Sequence, residues 1–450
     1  MSSDTDSELA RAAAAMLSLN NDCLERIFSY LDLPEQIRFA RINQRFREGF
    51  KEYAKRAHKV CDLYKISLMS IYDIREFFQL AGENIQKITR ETEFRTQNSM
   101  FPWLGEFCTQ LRELNLSNCS LNDESIIWLQ NLNNLEILAI ANNREISGTY
   151  LSGLVHLTEL NLCGCIHVQQ EALIEMFKAL TKLKRLDIRG CLAITSEFLP
   201  ALTTFCRELE VLKMSCSRFS YEFLALLPRL KELMLLDRIF SPTRKTRLLD
   251  ALVAIKSNQL ESLEMYQTDS LHDIHFTFIS QIRSLKKLAI DFNAGLIDSV
   301  LNKFGNLKQL ETLSITGCKN MSAQGLLNLL RNCPRLHSLN IQHCDNIETK
   351  FVLDVIPILH DESAEREKPF KLFVFETRIA QAQLAEKAQY LEAVEKSLIK
   401  IEFNMVNFLV GDGIYLNQFR AQVLSANVGE DRPGAQMARE KVCVIMSIEN

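Results

Sequence analysis

The sequence predicts an α/β fold, a curved solenoid of short parallel β-strands with helices on its outer side. Two observations support this prediction. An apolar-x-x-apolar-x-apolar pattern, where x is any residue, occurs ten times along the chain. Stretches with helical spacing of their apolar residues, such as 123–129, 170–180 and 323–330, lie between the copies. Each unit is therefore expected to run strand, turn, helix, turn.

The ten copies keep an almost constant spacing. Their first leucines are 21 to 30 residues apart, and leucine-rich repeats have a period of roughly 20–29 residues. The longest interval suggests an insertion near residues 241–246. One unit cannot bury its own leucines, so neighbours must stack. The copies are Leu111-Leu114-Leu116, Leu135-Leu138-Ile140, Leu157-Leu160-Leu162, Leu183-Leu186-Ile188, Leu209-Leu212-Met214, Leu230-Leu233-Leu235, Leu260-Leu263-Met265, Leu285-Leu288-Ile290, Leu310-Leu313-Ile315 and Leu336-Leu339-Ile341.

A second register supports the same repeat. Asparagine or cysteine follows the first leucine by eight residues in seven copies, at Cys119, Asn143, Cys165, Cys191, Asn293, Cys318 and Cys344. Three further cysteines precede a first leucine by three residues, at Cys108, Cys206 and Cys333. A side chain turned inward there can satisfy backbone groups where the strand ends. Residues 108–350 thus resemble the cysteine-containing leucine-rich repeats.

The regions flanking the ten copies carry weaker signals. Ile85 and Ile88 lie 26 and 23 residues before Leu111, which suggests one degenerate unit. Phe370 and Phe373 repeat the apolar spacing near the other end. Residues 380–398 are rich in Ala, Gln, Glu and Lys and are expected to form a helix.

The amino-terminal segment has a helical rhythm. Asn20 or Asn21 is expected to cap a first helix, and Pro34 to open a second one. The apolar face predicted for this small bundle comprises Leu24, Ile27, Phe28, Leu31, Ile37, Ala40, Ile42 and Phe46. About thirty residues are too few to fold alone, so a partner or the adjoining repeats must stabilise them.

This segment resembles an F-box motif, through the run LNNDCLERIFSYLDL at residues 19–33 and the later pair Arg45-Phe46. The family pattern opens with Leu-Pro, whereas this chain has Leu19-Asn20. The alternative is a helical cap that only covers the first repeat. Over residues 19–350 the chain resembles the F-box and leucine-rich-repeat proteins, which are substrate receptors of cullin–RING ubiquitin ligases.

The resemblance implies a Skp-type adaptor as partner and, through it, cullin and RING subunits. The repeats would hold an unknown target protein for ubiquitin-dependent degradation. The alternative is a non-degradative interaction scaffold. Either way the chain is expected to be a non-catalytic subunit. The candidates for adaptor contact are Leu19, Leu24, Ile27, Phe28, Leu31, Leu33 and Ile37.

Strand alternation predicts which side chains face the concave side of the sheet. The central positions are Asn115, Ala139, Asn161, Asp187, Lys213, Met234, Glu264, Ala289, Ser314 and Asn340. Within this surface, an exposed apolar group near two charges is a candidate for substrate binding, and the set is Lys213, Met234, Leu236, Glu264 and Tyr266. The alternatives are an incorrect register or a tail that covers the patch.

No catalytic, cofactor or metal site is predicted. Cys163 with Cys165, and His272 with His275, lack further ligands nearby, and the two histidines are expected to be solvated. Cys443-Val-Ile-Met446 has the form of a prenylation box, but four residues follow it.

Composition narrows the possible partners and compartment. A net charge of -4 argues against nucleic-acid binding. No apolar run is long enough for a membrane span. The absence of a secretory signal favours the cytoplasm or nucleus.

The sequence suggests six regions. Residues 1–16 are expected to be disordered, 17–60 to form the F-box module, and 61–108 a linker with the degenerate first repeat. Leucine-rich repeats are expected over 109–360, a C-terminal cap region with a helix over 361–424, and a loose tail over 425–450.

Overall fold

Short β-strands form one parallel sheet, in which each strand pairs with the next along the chain. The computed structural model describes residues 18–90, 98–216, 221–237, 242–266, 271–361 and 365–405. The predictions for residues 1–16 and 425–450, Cys443 included, lie outside these ranges. The strands are β1 Val60–Asp62, β2 Lys87–Thr89, β3 Glu113–Asn115, β4 Ile137–Ala139, β5 Glu159–Asn161, β6 Arg185–Ile188, β7 Val211–Cys216, β8 Glu232–Asp237, β9 Ser262–Tyr266, β10 Lys287–Ile290, β11 Thr312–Ser314, β12 Ser338–Asn340, β13 Phe370–Phe373 and β14 Ile399–Glu402.

Helices precede the sheet and then return the chain between its strands. Short 3₁₀ segments replace a helix in some units, as at Leu151–Gly153 and Glu222–Leu226. The helices are α1 Asn21–Tyr30, α2 Leu33–Arg41, α3 Gln44–Ala57, α4 Leu63–Ser67, α5 Ile71–Ala81, α6 Phe101–Phe107, α7 Asp123–Leu129, α8 Gln170–Ala179, α9 Phe198–Phe205, α10 Pro242–Lys256, α11 Asp273–Ile279, α12 Asp298–Phe304, α13 Ala323–Asn332, α14 Thr349–Leu359, α15 Gln381–Ala385 and α16 Ala388–Glu395. The α/β leucine-rich-repeat solenoid predicted from the sequence is confirmed.

The inward side chains of the strands form the core. Leu114, Leu138 and Leu160 occupy one register on β3, β4 and β5, and each is almost fully buried. All ten apolar triplets belong to a single hydrophobic cluster that also includes the module at the amino terminus. Burying one such side chain contributes about 1.5–3 kcal/mol, so the stability of each unit depends on the units beside it.

The asparagine and cysteine register connects neighbouring units. The Asn143 Oδ1 accepts hydrogen bonds from the amides of Cys119 and Leu121, at 3.0 and 2.9 Å. Its Nδ2 donates to the carbonyls of Leu116 and Ile140, at 3.0 and 2.8 Å. At the same position one unit later, the Cys165 Sγ donates to the Ile140 carbonyl at 3.2 Å. Buried backbone groups at the strand ends are satisfied in this way.

The sheet extends further than residues 109–360. β1 precedes the degenerate strand at Ile88, and its Cys61 takes the inward position of the repeat. At the other end β14 pairs with β13, with Ile401 opposite Leu372. Neither strand was predicted, because β1 has a cysteine in place of the leucine and β14 follows a helix-forming stretch.

The helix predicted over residues 380–398 is two helices, α15 and α16. The chain breaks at Lys387, which has an extended backbone and precedes α16. Leu384 and Ala393, one from each helix, are both buried. The insertion predicted near residues 241–246 coincides with the start of α10, which has 15 residues.

Candidate functional site

Three capped helices form the amino-terminal module. Asn20 caps α1 and accepts a hydrogen bond from the Cys23 amide at 2.9 Å. A reciprocal pair of hydrogen bonds between Asp32 and Glu35 caps α2, whose first turn contains Pro34. Such caps satisfy amides at a helix start that have no partner within the helix. The local sequence thus sets where each helix begins.

Aromatic packing joins the three helices. The Phe28 ring on α1 is fully buried. Its centroid lies 5.4 Å from those of Phe39 on α2 and Phe50 on α3, in edge-on arrangements. The Tyr53 ring stacks on it at 5.6 Å. Aromatic pairs in these geometries add about 0.5–1.5 kcal/mol each beyond their buried area, so Phe28 is the central residue of the module.

Ion pairs fix the module to the first unit of the stack. The Arg41 and Arg47 guanidiniums bind the Glu76 carboxylate on α5 at 2.8 and 2.6 Å. Arg41 also pairs with Asp73, and the hydrogen bonds that it donates to Asp73 and Glu76 raise the pKa of Arg41. Because both carboxylates are largely buried, the module and the stack present one continuous structure.

The concave surface has the predicted register. The central outward positions pair strand by strand, from Asn115 opposite Ala139 to Ser314 opposite Asn340. Asn115, Ala139, Asn161 and Lys213 are half-buried. Side chains from Met234 onward along this row, as far as Asn340, are buried. The accessible part of the row is therefore its amino-terminal half, apart from Asp187, which is buried.

The predicted exposed apolar patch is wrong. Met234 and Leu236 are each 6% exposed, and Glu264 and Tyr266 are 5% exposed. β7, β8 and β9 are the longest strands of the sheet. Their pairing places Met234 between Lys213 and Glu264 in register. Side chains only about 4.8 Å apart on neighbouring strands cover one another. Of the five candidates, Lys213 alone stays half-exposed.

Charged groups on this face are mostly paired. The Arg189 guanidinium binds the Asp187 carboxylate through Nε and Nη2, at 2.9 and 2.6 Å. Glu264 accepts from the Lys287 Nζ at 2.8 Å and from the Tyr266 hydroxyl at 2.7 Å. Burial, followed by the adjacent Glu264 carboxylate, raises the pKa of the Tyr266 phenol. These pairs offset the cost of burying the charges.

A depression of about 290 Å³ opens on the concave side of β4 to β7. Ala139 and Asn161 line it at the centre, and Lys213 lines it on β7. The Asn161 Oδ1 accepts a hydrogen bond from the Cys163 amide at 2.9 Å. The depression is accessible because the side chains of Ala139 and Asn161 at its centre are small.

Potential metal ligands and thiols are spread along the described part of the chain. Across the ranges that the structure describes, no three His, Cys, Asp or Glu residues group as metal ligands. The cysteines described with their side chains are free thiols, buried except for Cys23. Burial raises the pKa of Cys165 to about 11 and that of Cys344 to about 12. A protonated, buried thiol is a poor nucleophile.

His275 is buried rather than solvated, which corrects the prediction from sequence. Its Nδ1 accepts a hydrogen bond from the His272 amide at 2.9 Å, and its Nε2 lies 3.1 Å from the Thr246 Oγ1. The ring therefore helps to start α11, whereas His272 is exposed.

Comparison with known proteins identifies the amino-terminal module. A family model described as the F-box domain matches residues 16–52. Residues 16–52 are an F-box domain. No curated protein matches the chain at a significant level. In the described ranges, no helix has the length and hydropathy that a membrane span requires.

Two solved structures resemble the chain at 15% identity. An internalin from Listeria monocytogenes has a TM-score of 0.42 and covers 80% of this chain and 94% of its own. The Rad7 and Elc1 complex in yeast has a TM-score of 0.44 and covers 85% of this chain and 94% of its own. Both scores are below 0.5, so neither is informative about function.

The seven candidates for adaptor contact in the F-box domain fall into two groups according to their burial. Leu24, Phe28 and Ile37 are fully buried in the core. The others, Leu19, Ile27, Leu31 and Leu33, are partly buried and keep an accessible portion. Ile42 is 65% exposed, so its predicted place on the inner apolar face is wrong. It is the residue that caps the carboxyl end of α2.

His58, the residue that follows α3, should make the stability of the three-helix module depend on acid. Burial lowers the pKa of His58 to about 4, and its Nε2 lies 2.8 Å from the Gln36 Oε1. Between pH 6.5 and 4 the unfolded chain binds a proton that the folded chain does not, so stability falls as pH falls. One such proton gives a slope of at most about 1.4 kcal/mol per pH unit.

We expect His58→Gln to reduce this slope. Unfolding midpoints measured in urea at pH 7, 6, 5 and 4.5 would test it, with exposed His272→Gln as the matched control. An unchanged slope in His58→Gln would contradict the expectation.

Proposed function

We propose that the chain is the substrate-recognition subunit of a cullin–RING ubiquitin ligase of the SCF type. The observation that carries the proposal is the F-box domain at residues 16–52, since F-box domains bind Skp-type adaptors. In this role the chain is not an enzyme. It holds a target near a ubiquitin-loaded partner and contributes proximity, while the adaptor links it to cullin and RING subunits.

The adaptor surface in this proposal comprises Leu19, Ile27, Leu31 and Leu33. These side chains pack on the core from one side and keep accessible area on the other. Leu24, Phe28 and Ile37 act indirectly, because they hold α1 and α2 in place. An apolar surface with a buried support is the usual arrangement of a stable protein interface.

The target-binding surface in this proposal is the concave face, and the compartment is the cytoplasm or the nucleus. The free, buried thiols suit a reducing compartment. Because neighbouring strands lie about 4.8 Å apart, the accessible strands β1 to β7 offer a span on the order of 30 Å. This length suits a protein segment better than a small molecule.

The double substitution Ile27→Ala with Leu31→Ala should reduce recovery of a Skp-type adaptor by at least about tenfold. Each change removes apolar contact area at the centre of the proposed interface, and tenfold corresponds to about 1.4 kcal/mol. Co-purification of the tagged full-length chain with the adaptor would measure it.

Leu192→Ala with Ile297→Ala is the matched control, since both residues are exposed apolar side chains of the repeats. Undiminished adaptor recovery in the Ile27 and Leu31 variant would contradict the proposed interface. Where the adaptor binds, depletion of the chain should also raise the level of its target. Unchanged target levels would favour the non-degradative scaffold.

A further inference from the structure

We propose that the depression on β4 to β7 binds one carboxylate side chain of an extended segment of the target. The inference rests on the proposed function, in which the concave face receives a target. The depression has about 290 Å³, which is enough for one or two side chains of an extended segment and too little for a folded element. The positions of its polar groups specify the chemistry of the occupant.

Two donors at the depression have no hydrogen-bond or ion-pair partner among the described residues. In the part of the chain that the structure describes, the Lys213 ammonium pairs with no carboxylate, although Lys213 is half-buried. The Asn161 Oδ1 is occupied by the Cys163 amide, which turns its Nδ2 into a donor available to a ligand. The Lys213 ammonium on β7 and the Asn161 amide on β5 lie on either side of β6, so together they suit the two oxygens of one carboxylate.

The other charges of the depression are already balanced. Arg185 faces Glu159 at 3.5 Å, and Asp187 is held by Arg189 at 2.6 Å. Lys213 therefore contributes one unpaired positive charge. A carboxylate carries one negative charge, whereas a phosphorylated side chain carries about 1.5 to 2 and would lie beside two acidic residues. The charge balance thus favours aspartate or glutamate.

The surroundings of the depression add an apolar requirement. Ile137 and Ala139 on β4 line the depression and are half-buried. A carboxylate bound by Lys213 would be partly desolvated, which strengthens its charged hydrogen bond. The preferred segment therefore carries an acidic residue with apolar residues next to it.

A selection of random 12-residue peptides displayed on phage would test the inference, with the full-length chain bound to its adaptor as bait. We expect the selected peptides to be enriched in aspartate or glutamate at one position. Lys213→Gln should abolish this enrichment. Lys182→Gln is the matched control, because Lys182 is an exposed lysine in the turn before β6, outside the lining of the depression.

Synthetic peptides based on the best selected sequence would separate the possible anions. Replacing the acidic residue with glutamine should weaken binding to the wild-type chain about tenfold, and less than about twofold in Lys213→Gln. Three outcomes would each overturn the inference. They are the recovery of no peptides, enrichment that persists in Lys213→Gln, and tenfold tighter binding of a phosphoserine peptide. If the adaptor still binds and target levels still depend on the chain, the proposed function would survive that failure.

Discussion

Phe28→Ala should destabilise the F-box domain by about 3–5 kcal/mol, the usual cost of deleting a buried phenylalanine ring. Phe28 has no solvent exposure. Its ring contacts those of Phe39, Phe50 and Tyr53, which come from both other helices of the domain. The cavity would lie where α1, α2 and α3 meet, so none of the three could keep its position. Adaptor binding should therefore be lost together with local stability.

Hydrogen exchange of amides in α1 to α3 would measure this loss within the full-length chain, because local unfolding is resolved there without melting the repeats. Tyr30→Ala is the matched control, since Tyr30 lies on the same helix and is 75% exposed. Protection in Tyr30→Ala should match that of the wild-type chain. A loss below about 1 kcal/mol in Phe28→Ala would contradict the central place of this ring.

The periodic part of the fold was predictable from the sequence because each inward leucine repeats in the same chemical setting. Leu114, Leu138 and Leu160 pair in the register that their spacing predicted. β1 could not be found in this way, since Cys61 fills the inward position and a single short strand leaves little periodicity. The prediction of a single helix over residues 380–398 was wrong because helix-forming residues continue across the break at Lys387.

Accessibility was the part that the sequence could not predict. Asn161 and Met234 occupy equivalent positions on their strands, yet one is half-buried and the other is 6% exposed. The difference depends on the neighbours across the sheet, which alternation along one strand does not specify. In α1, helical spacing likewise places Leu24 and Ile27 on one apolar face, and only the packing of α3 distinguishes core from surface.

Asn143→Leu should lower the stability of the repeats by about 4 kcal/mol. The amide side chain of Asn143 binds two backbone N–H groups and two carbonyls, from Cys119, Leu121, Leu116 and Ile140. Leucine has a similar size but no polar atom. The Ile140 carbonyl would keep the Cys165 thiol as a donor, but the other three groups would stay buried without the partner that Asn143 provides. Each buried group left in this way costs about 1–3 kcal/mol, and relaxation toward water would recover part of the total.

Urea unfolding followed by circular dichroism would measure the effect, and a second transition would indicate that the stack has lost cooperativity near this unit. Asn131→Leu, at an exposed asparagine, tests the same chemical change without buried partners and should alter stability by less than about 0.5 kcal/mol. Asn143→Cys should fall between the two, because the Cys165 thiol at the equivalent position donates to one carbonyl of the preceding unit. An equal loss of stability in Asn143→Leu and Asn131→Leu would contradict this prediction. It would mean that the size of the side chain at position 143 matters and that its hydrogen bonds between units contribute little to the stability of the stack.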